Sequence, residues 1–297
     1  MTNLDKRALL IMNPVAGRKQ IQRYSVKVIR SLMDQGYLVS TMVTSGRGDA
    51  RDWAARYGDD YDLLVCAGGD GTLNECASGL ADAELSVPLG YIPCGSTNDS
   101  AAALGLDTDI CREAERIAEG GRKQYDIGCF GERYFLHHAL FGAFTWMAYS
   151  TDQEQKNVLG YGAYVLDALK NLSKLKPVSL FLSADGVASE GEYVFGVVST
   201  NRHIAGIYEL PAELVGDADG KLAAVLIQTP KTVLDWDALA HSLLTGDLQC
   251  PLLKVLTAQE FRIRTQDKIE WSLDGESSGG RTEVCIRAKK AFLTLQG

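Results

Sequence analysis

Residues 66–75 read Cys66-Ala67-Gly68-Gly69-Asp70-Gly71-Thr72-Leu73-Asn74-Glu75. A buried-strand pattern, Asp62 to Ala67, runs into three glycines set around an acid, and a helical pattern, Thr72 to Ala81, begins at once. Glycines admit positive φ and let backbone N–H groups approach an anion with no Cβ in the way. A helix N-terminus at the same point adds partial positive charge. Thr72 and Glu75 stand at capping-box spacing, which predicts that they fix the helix start. The plain alternative, a tight and well-capped strand–helix turn, competes evenly with phosphate binding on these residues alone. Asp70 tips the balance, because an acid would repel bare phosphates unless a metal ion lay between them.

The same design recurs on either side. Downstream, Pro93-Cys94-Gly95-Ser96-Thr97-Asn98-Asp99 ends a strand pattern (Pro88 to Ile92) in a glycine, hydroxyls and an acid; in isolation Ser96 and Asp99 read as a cap pair. Upstream, Asn13-Pro14-Val15-Ala16-Gly17 closes the strand pattern Ala8 to Met12 and leads to Arg18 and Lys19. The rest of this region alternates in the same way, with helical patterns at Arg18–Met33, Asp49–Tyr57 and Asp109–Glu119 and strand patterns at Tyr37–Thr44 and Gln124–Gly128. Strands separated by helices predict a parallel sheet covered on both faces, with ligands beyond the carboxyl ends of the strands. All three glycine-rich segments lie at such ends.

From about Tyr134 the period changes. Short alternating strands (Val178–Ser183, Tyr193–Thr200, Leu222–Ile227, Phe261–Arg264, Lys268–Leu273) are set off by Asp-Gly turns and interrupted by helical patterns at Val158–Lys174 and Thr232–Leu244. The expected class is α/β plus β. A doubly wound α/β nucleotide-binding domain over residues 1–128 precedes an antiparallel β-sandwich domain over 129–297, the two sharing a cleft. The last strand, near 291–297, could return to the first domain. A chain of 297 residues exceeds one typical core, which agrees with two.

Thirty basic against thirty-eight acidic residues leave a formal charge of -8, which argues against a general nucleic-acid binder. Seven cysteines without a C-x-x-C pair speak against a disulfide framework or structural zinc site and fit a reducing cytoplasm. Met1–Lys6 is polar and reads as no secretory signal, and no apolar run approaches the ~18 residues of a membrane span.

Taken together, Gly68-Gly69-Asp70-Gly71-Thr72 with Asn74-Glu75, Pro93-x-Gly95-Ser96-x-Asn98-Asp99, Asn13-Pro14-x-Ala16-Gly17 and Leu273-Asp274-Gly275-Glu276 resemble the diacylglycerol kinase catalytic-domain family, which includes soluble bacterial lipid kinases and sphingosine and ceramide kinases. The resemblance covers essentially the whole chain. Gly68–Thr72 alone is shared with NAD kinases, and the Pro93–Asp99 segment separates the two. The resemblance implies ATP- and Mg²⁺-dependent transfer of the γ-phosphoryl group to the hydroxyl of diacylglycerol or a related lipid alcohol. Gly68, Gly69, Asp70, Gly71 and Thr72, with Asn74 and Glu75, would cradle the nucleotide phosphates; Thr44 and Ser96 would add hydroxyl contacts, and Asn13, Gly95 and Asn98 would shape the same site. It also implies that Asp70, Asp99 and Asp126 organise catalytic magnesium, partly through water, and that Glu276 is the general base with Asp274 as its orienting or metal-linked neighbour. In Asp217-Ala218-Asp219-Gly220-Lys221 it implies a structural magnesium held by Asp219 with backbone carbonyls of Gly216 and Lys221. From spacing alone, Asp126 is equally an ordinary strand-end acid, Glu276 reads rather as a solvated hairpin acid, and Asp217–Lys221 is readily a simple Asp-Gly turn.

The chain departs from the family pattern at three places: Ser100, Ala101 and Ala102 follow Asn98-Asp99 where an aromatic and an arginine are usual, Ala16 replaces a serine, and Tyr161 stands where a basic residue is common. Transient contact with a membrane surface is expected of a lipid kinase, with a cytoplasmic, peripheral location. The face carrying Lys19, Arg23, Lys27 and Arg30, or the stripe Leu159, Ala163, Leu166, Leu169 and Leu172 with Lys170, Lys174 and Lys176, could meet it; a solvated helix face and a core helix explain them equally. His137, His138, His203 and His241 show no ligand spacing, and Trp146 and Trp271 read as packing residues. A homodimer is left open. The rival readings are an NAD kinase-like soluble kinase and a catalytically silent nucleotide- or lipid-binding regulator.

Overall fold

The computed structural model describes residues 4–17, 19–142, 169, 172, 176–204 and 208–297. Arg18, Trp146, Tyr161, Lys170, Lys174 and the expected helix Val158–Lys174, except Leu169 and Leu172, lie outside the described residues. The chain is mixed α/β and divides into two compact units, Met1–Tyr125 with Ala291–Gly297 and Asp126–Lys290.

In the first unit β1 (Lys6–Met12) pairs in parallel with β2 (Tyr37–Val43) and β3 (Leu63–Gly68), and β3 with β4 (Leu89–Pro93). The end of β15 (Glu276–Gln296) completes this sheet, Leu295 lying opposite Leu89. Every residue of β3 and β4 is buried, which explains their unbroken apolar sequences. One sheet face, with Ala8, Leu10, Val65 and Ile92, packs against α1 (Ile21–Asp34) and α5 (Ile110–Glu119) through Ile21, Val28, Leu32, Ala114 and Ile117. Each large apolar side chain so buried contributes about 1.5–3 kcal/mol. On the other face the thiol of Cys66 meets that of Cys76 on α3 (Asp70–Asp82), and α3 packs on α2 (Asp49–Tyr57).

The α2–α3 contact is close because α3 carries Gly79, where a Cβ would fall on the carbonyl oxygen of Arg51. Gly79→Ala is therefore expected to destabilise the protein by about 1–3 kcal/mol, the usual cost of overpacking, as a lower urea midpoint at unchanged slope. The chain end is fastened as well. Buried Gln296 donates from Nε2 to Ile117 O (2.8 Å) and Tyr37 Oη (3.2 Å) and accepts from Arg122 Nε (3.0 Å).

Antiparallel pairing prevails in the second unit. β7 (His138–Gly142) lies between β9 (Val187–Ser199) and β14 (Glu260–Leu273); β9 pairs with β12 (Leu222–Gln228), and β12 with β13 (Leu253–Ala258). β14 also pairs with β15 and β8 (Val178–Ala184), and β5 (Arg122–Phe130) pairs with β6 (Arg133–Phe135). The alternation in β12 feeds two cores. Leu222, Ala224 and Leu226 join Phe135, Phe141, Phe261 and Trp271, while Val225 and Ile227 join Val197, Leu239 and Leu243, the last two from α6 (Val233–Thr245). Trp271 packs on Phe130 and Phe141 with ring centroids 5.1 Å away in each case. Leu172 is buried in the second of these cores, and Leu169 packs against it.

Two expected strands, Phe261–Arg264 and Lys268–Leu273, are one strand, β14, whose pairing with β15 shifts register between Arg264 and Ile269. Polar residues that look like a loop are the irregularity of a long hairpin. No helix among the described residues is long and apolar enough to cross a membrane.

Candidate active site

Four parallel strands end at one edge of the first unit's sheet, and their loops build a cavity of about 410 Å³. Asn13, Gly17, Thr44, Arg47, Gly69, Thr72, Glu75 and Gly95 are among its walls. The loops interlock. Asn13 N–H donates to Ala67 O (2.8 Å), its side-chain amide donates to Thr72 Oγ1 (3.1 Å), and Cys94 N–H donates to Gly68 O (2.7 Å). At Gly17, φ is +50°, and a Cβ there would fall on the carbonyl oxygen of Cys94. A Cβ on Gly95 would come within 2.8 Å of both Gly69 Cα and Asn98 Oδ1, the atom that accepts Gly95 N–H at 2.7 Å. These two glycines are required by close approach, and only then by the turn.

Helix α3 begins at Asp70, after an extended Gly69, and no side chain caps it. The expected capping box is therefore corrected. Thr72 already lies inside the helix with its hydroxyl on Asn13, and the Glu75 carboxylate accepts Gly48 N–H at 2.9 Å instead of turning back on its own helix. An uncapped start of a 13-residue helix, lined by Gly69, Gly71 and Thr72, suits an anion.

Asp70 faces a second helix. Its Oδ1 accepts Ser100 N–H (2.8 Å), and its Oδ2 accepts Asp99 N–H (3.2 Å) and the Thr97 hydroxyl (3.4 Å). The carboxylate thus sits at the start of α4 (Asp99–Leu104), a helix absent from the sequence expectation. An acid in this glycine-rich loop has a physical reason besides a metal ion, since charge-assisted bonds to a helix start hold it. Thr44 and Asn13 line the cavity, whereas Ser96 and Asp99 are exposed and do not. Asn74 Oδ1 accepts from the Ser78 hydroxyl (3.2 Å).

The other expected site residues belong to the second unit. Asp126 is buried on β5; its N–H donates to Asp217 O (2.6 Å), and its carboxylate accepts Gly220 N–H (2.6 Å). The same turn is closed by Asp219, whose two oxygens accept Lys221 N–H (2.8 Å) and Gly216 N–H (2.9 Å). Among the described residues no three His, Cys, Asp or Glu side chains converge as a metal-binding group.

Asp274 and Gly275, with φ of +46° and +87°, form the two-residue turn between β14 and β15, Leu273 pairing with Glu276. Positive φ at both positions is what a tight type I′ hairpin needs. The Asp274 carboxylate accepts the N–H groups of Leu136 (2.6 Å), His137 (2.9 Å) and His138 (2.8 Å), while its own N–H donates to His138 O (2.9 Å). Glu276 follows immediately, half-exposed, with Oε2 4.0 Å from Arg133 Nη2.

Two histidines adjoin this turn. His137 Nδ1 lies 3.3 Å from the Asn201 amide nitrogen, and His138 Nε2 bonds the His203 carbonyl at 2.8 Å. Burial, and then neighbouring His137, push the pKa of His138 below the ordinary imidazole value. Sequence reasoning missed the cavity wall Ser45–Arg47, which carries no glycine-rich signature as marked as the other loops.

A parallel sheet with glycine loops around a bare helix start is the kind of edge at which open α/β sheets take up ligands. Residues 7–130 match the family model described as the diacylglycerol kinase catalytic domain. The diacylglycerol kinase of Bacillus subtilis is 31% identical over 278 residues, covering 92% of this chain and 91% of the relative. That of Staphylococcus saprophyticus is 30% identical over 277 residues, covering 93% and 90%. This chain belongs to the diacylglycerol kinase family. Two crystal structures from Bacillus anthracis share its fold: one of a diacylglycerol kinase, with TM-score 0.75 at 23% identity and coverage of 98% and 96%, and another with TM-score 0.80 at 24% identity and coverage of 98% and 95%.

Proposed function

We propose that this protein transfers the γ-phosphoryl group of ATP to the hydroxyl of diacylglycerol or a related lipid alcohol. The observation that carries this reading is the uncapped, glycine-lined start of α3 in a chain akin over 92% of its length to a diacylglycerol kinase. In this account Gly68–Thr72, Asn13, Gly95 and Asn98 bind the phosphates, with hydroxyls from Thr44 and Ser96. Asn74 and Glu75 support that cradle from the first turns of α3.

Magnesium fits the donor set, because Asp70 and Asp99 are hard oxygen donors at adjoining helix starts, and Mg²⁺ characteristically takes one or two carboxylates with phosphates and water. Bound there, it would neutralise charge on the transferring phosphoryl group. Asp126 would complete the acid set, partly through water. Asp219 with the carbonyls of Gly216 and Lys221 would hold a second, structural ion. Glu276 would take the proton of the lipid hydroxyl as the new P–O bond forms, and Asp274 would hold the turn that presents it. A lipid acceptor implies peripheral, transient contact with a membrane from the cytoplasmic side.

The test is γ-labelled ATP with Mg²⁺ against mixed micelles carrying diacylglycerol, ceramide or a sphingoid base, and against NAD in a parallel reaction. Label in a lipid alcohol is expected. Labelled NADP with no labelled lipid would return the chain to the NAD kinase-like alternative.

A further inference from the structure

The cavity has one wall that its phosphate-facing loops do not explain, the segment Thr44–Arg47 after β2. Ser45, Gly46 and Arg47 are exposed, and nothing lies within 4 Å of where a Cβ on Gly46 would be. A polar, glycine-containing loop of this kind would ordinarily be mobile. Here two carboxylates hold it. Asp49 Oδ2 accepts Ser45 N–H (2.7 Å), the Ser45 hydroxyl (2.9 Å) and Gly46 N–H (2.9 Å), which fixes the turn upon itself. Glu75 Oε1 accepts the N–H of Gly48, a residue at φ +91° that leads into α2. That second bond spans 27 positions and ties the wall to the first turns of α3. Two further contacts fasten the same two helices: the Arg51–Asp82 ion pair (2.6 Å) and the seat of Gly79 beneath the Arg51 carbonyl.

We propose that Glu75 is a positioning residue for the nucleotide: by accepting Gly48 N–H it locks the Thr44–Arg47 wall to the helix that starts at the phosphate loop, so the cavity is formed before ATP enters. The inference rests on the proposed ATP site and gives Glu75 a structural means of acting there. Its role requires an acceptor oxygen and not a negative charge, because the partner is a neutral amide. A preformed wall spares the ordering cost that a loose one would impose at binding, so loss of the bond weakens affinity more than turnover.

The experiment is calorimetric titration of ATP with Mg²⁺ into the protein and its Glu75→Ala and Glu75→Gln variants, with kcat measured at saturating ATP. Glu75→Ala is expected to raise the Kd about tenfold with kcat changed less than about threefold, and Glu75→Gln to restore affinity, since the amide oxygen still accepts. Unchanged affinity in Glu75→Ala, or a Gln variant as weak as the Ala variant, would overturn the proposal. No nucleotide binding by the unmutated protein would overturn both this inference and the ATP site beneath it. Hydrogen exchange of the Gly48 amide in the unmutated protein decides the matter independently of variant folding. Protection is expected, and exchange at the rate of an open loop would contradict the lock.

Discussion

Glu276→Gln is expected to lower kcat for lipid phosphorylation by about 10²-fold while leaving ATP affinity unchanged. A positioned base contributes ~10²–10⁴-fold, and a loose phosphoryl-transfer transition state asks little of it early, which places the effect at the lower end. The local structure makes the substitution clean. The turn before Glu276 is set by Asp274 and Gly275 at positive φ, and the Asp274 carboxylate is fastened to the backbone of Leu136, His137 and His138. None of these bonds involves the Glu276 side chain, whose Oε2 lies 4.0 Å from Arg133 Nη2. The measurement is kcat against pH for both forms, with ATP binding titrated separately. A variant that kept kcat within a factor of about three, or lost ATP binding, would show that Glu276 does not take the proton.

Asp70→Asn is expected to act on two observables at once. Its carboxylate serves the N–H groups of Asp99 and Ser100 at the start of α4. Asparagine offers one acceptor oxygen and turns an NH₂ group toward the other donor, and a bond to a charged group is worth about 1.5–3 kcal/mol. Amide exchange at Asp99 and Ser100 should therefore quicken. If Asp70 also helps to hold magnesium, turnover should fall by about 10²–10³-fold, the range for removing one member of a preorganised electrostatic array, and half-saturation by Mg²⁺ should move upward. Wild-type turnover at limiting Mg²⁺ alongside quickened exchange would leave Asp70 as a helix anchor only.

Much of the first unit is legible because its signals are local. The expected helices Asp49–Tyr57 and Asp109–Glu119 lie at Asp49–Tyr57 and Ile110–Glu119, and Asp109 caps the latter through Cys111 and Arg112 N–H. The expected strand Asp62–Ala67 lies at Leu63–Gly68, since an unbroken apolar run bounded by glycines leaves few alternatives. In the second unit Thr232–Leu244 lies at Val233–Thr245 with a complete capping box. What failed was the same motif read at Thr72 and Glu75. There the partners that won, Asn13 and Gly48, come from other loops, which no local spacing reveals. Helix α4 was missed for the same reason: Asn98 enters it in a left-handed conformation, and the cap comes from Asp70.

The candidate site divides along the same line. Glycine spacing placed the three loops that interlock around Gly17, Gly69 and Gly95, because close backbone approach restricts the residue itself. Glu75 at Gly48 is ordinary in sequence and gains its meaning only from a tertiary neighbour 27 positions away. Only resemblance proposed Asp126, Asp274 and Glu276, since spacing left Asp126 equally an ordinary strand-end acid and favoured a solvated hairpin acid at Glu276.

The most direct test of the account is the stoichiometry of the reaction. Purified protein is incubated with ATP, Mg²⁺ and diacylglycerol in mixed micelles, and ADP and the lipid extract are quantified by chromatography and mass spectrometry. One phosphorylated lipid per ADP, with none formed when Mg²⁺ is chelated, is the predicted result. ADP without phosphorylated lipid, or no ADP across the whole panel of lipid alcohols, would contradict a lipid kinase.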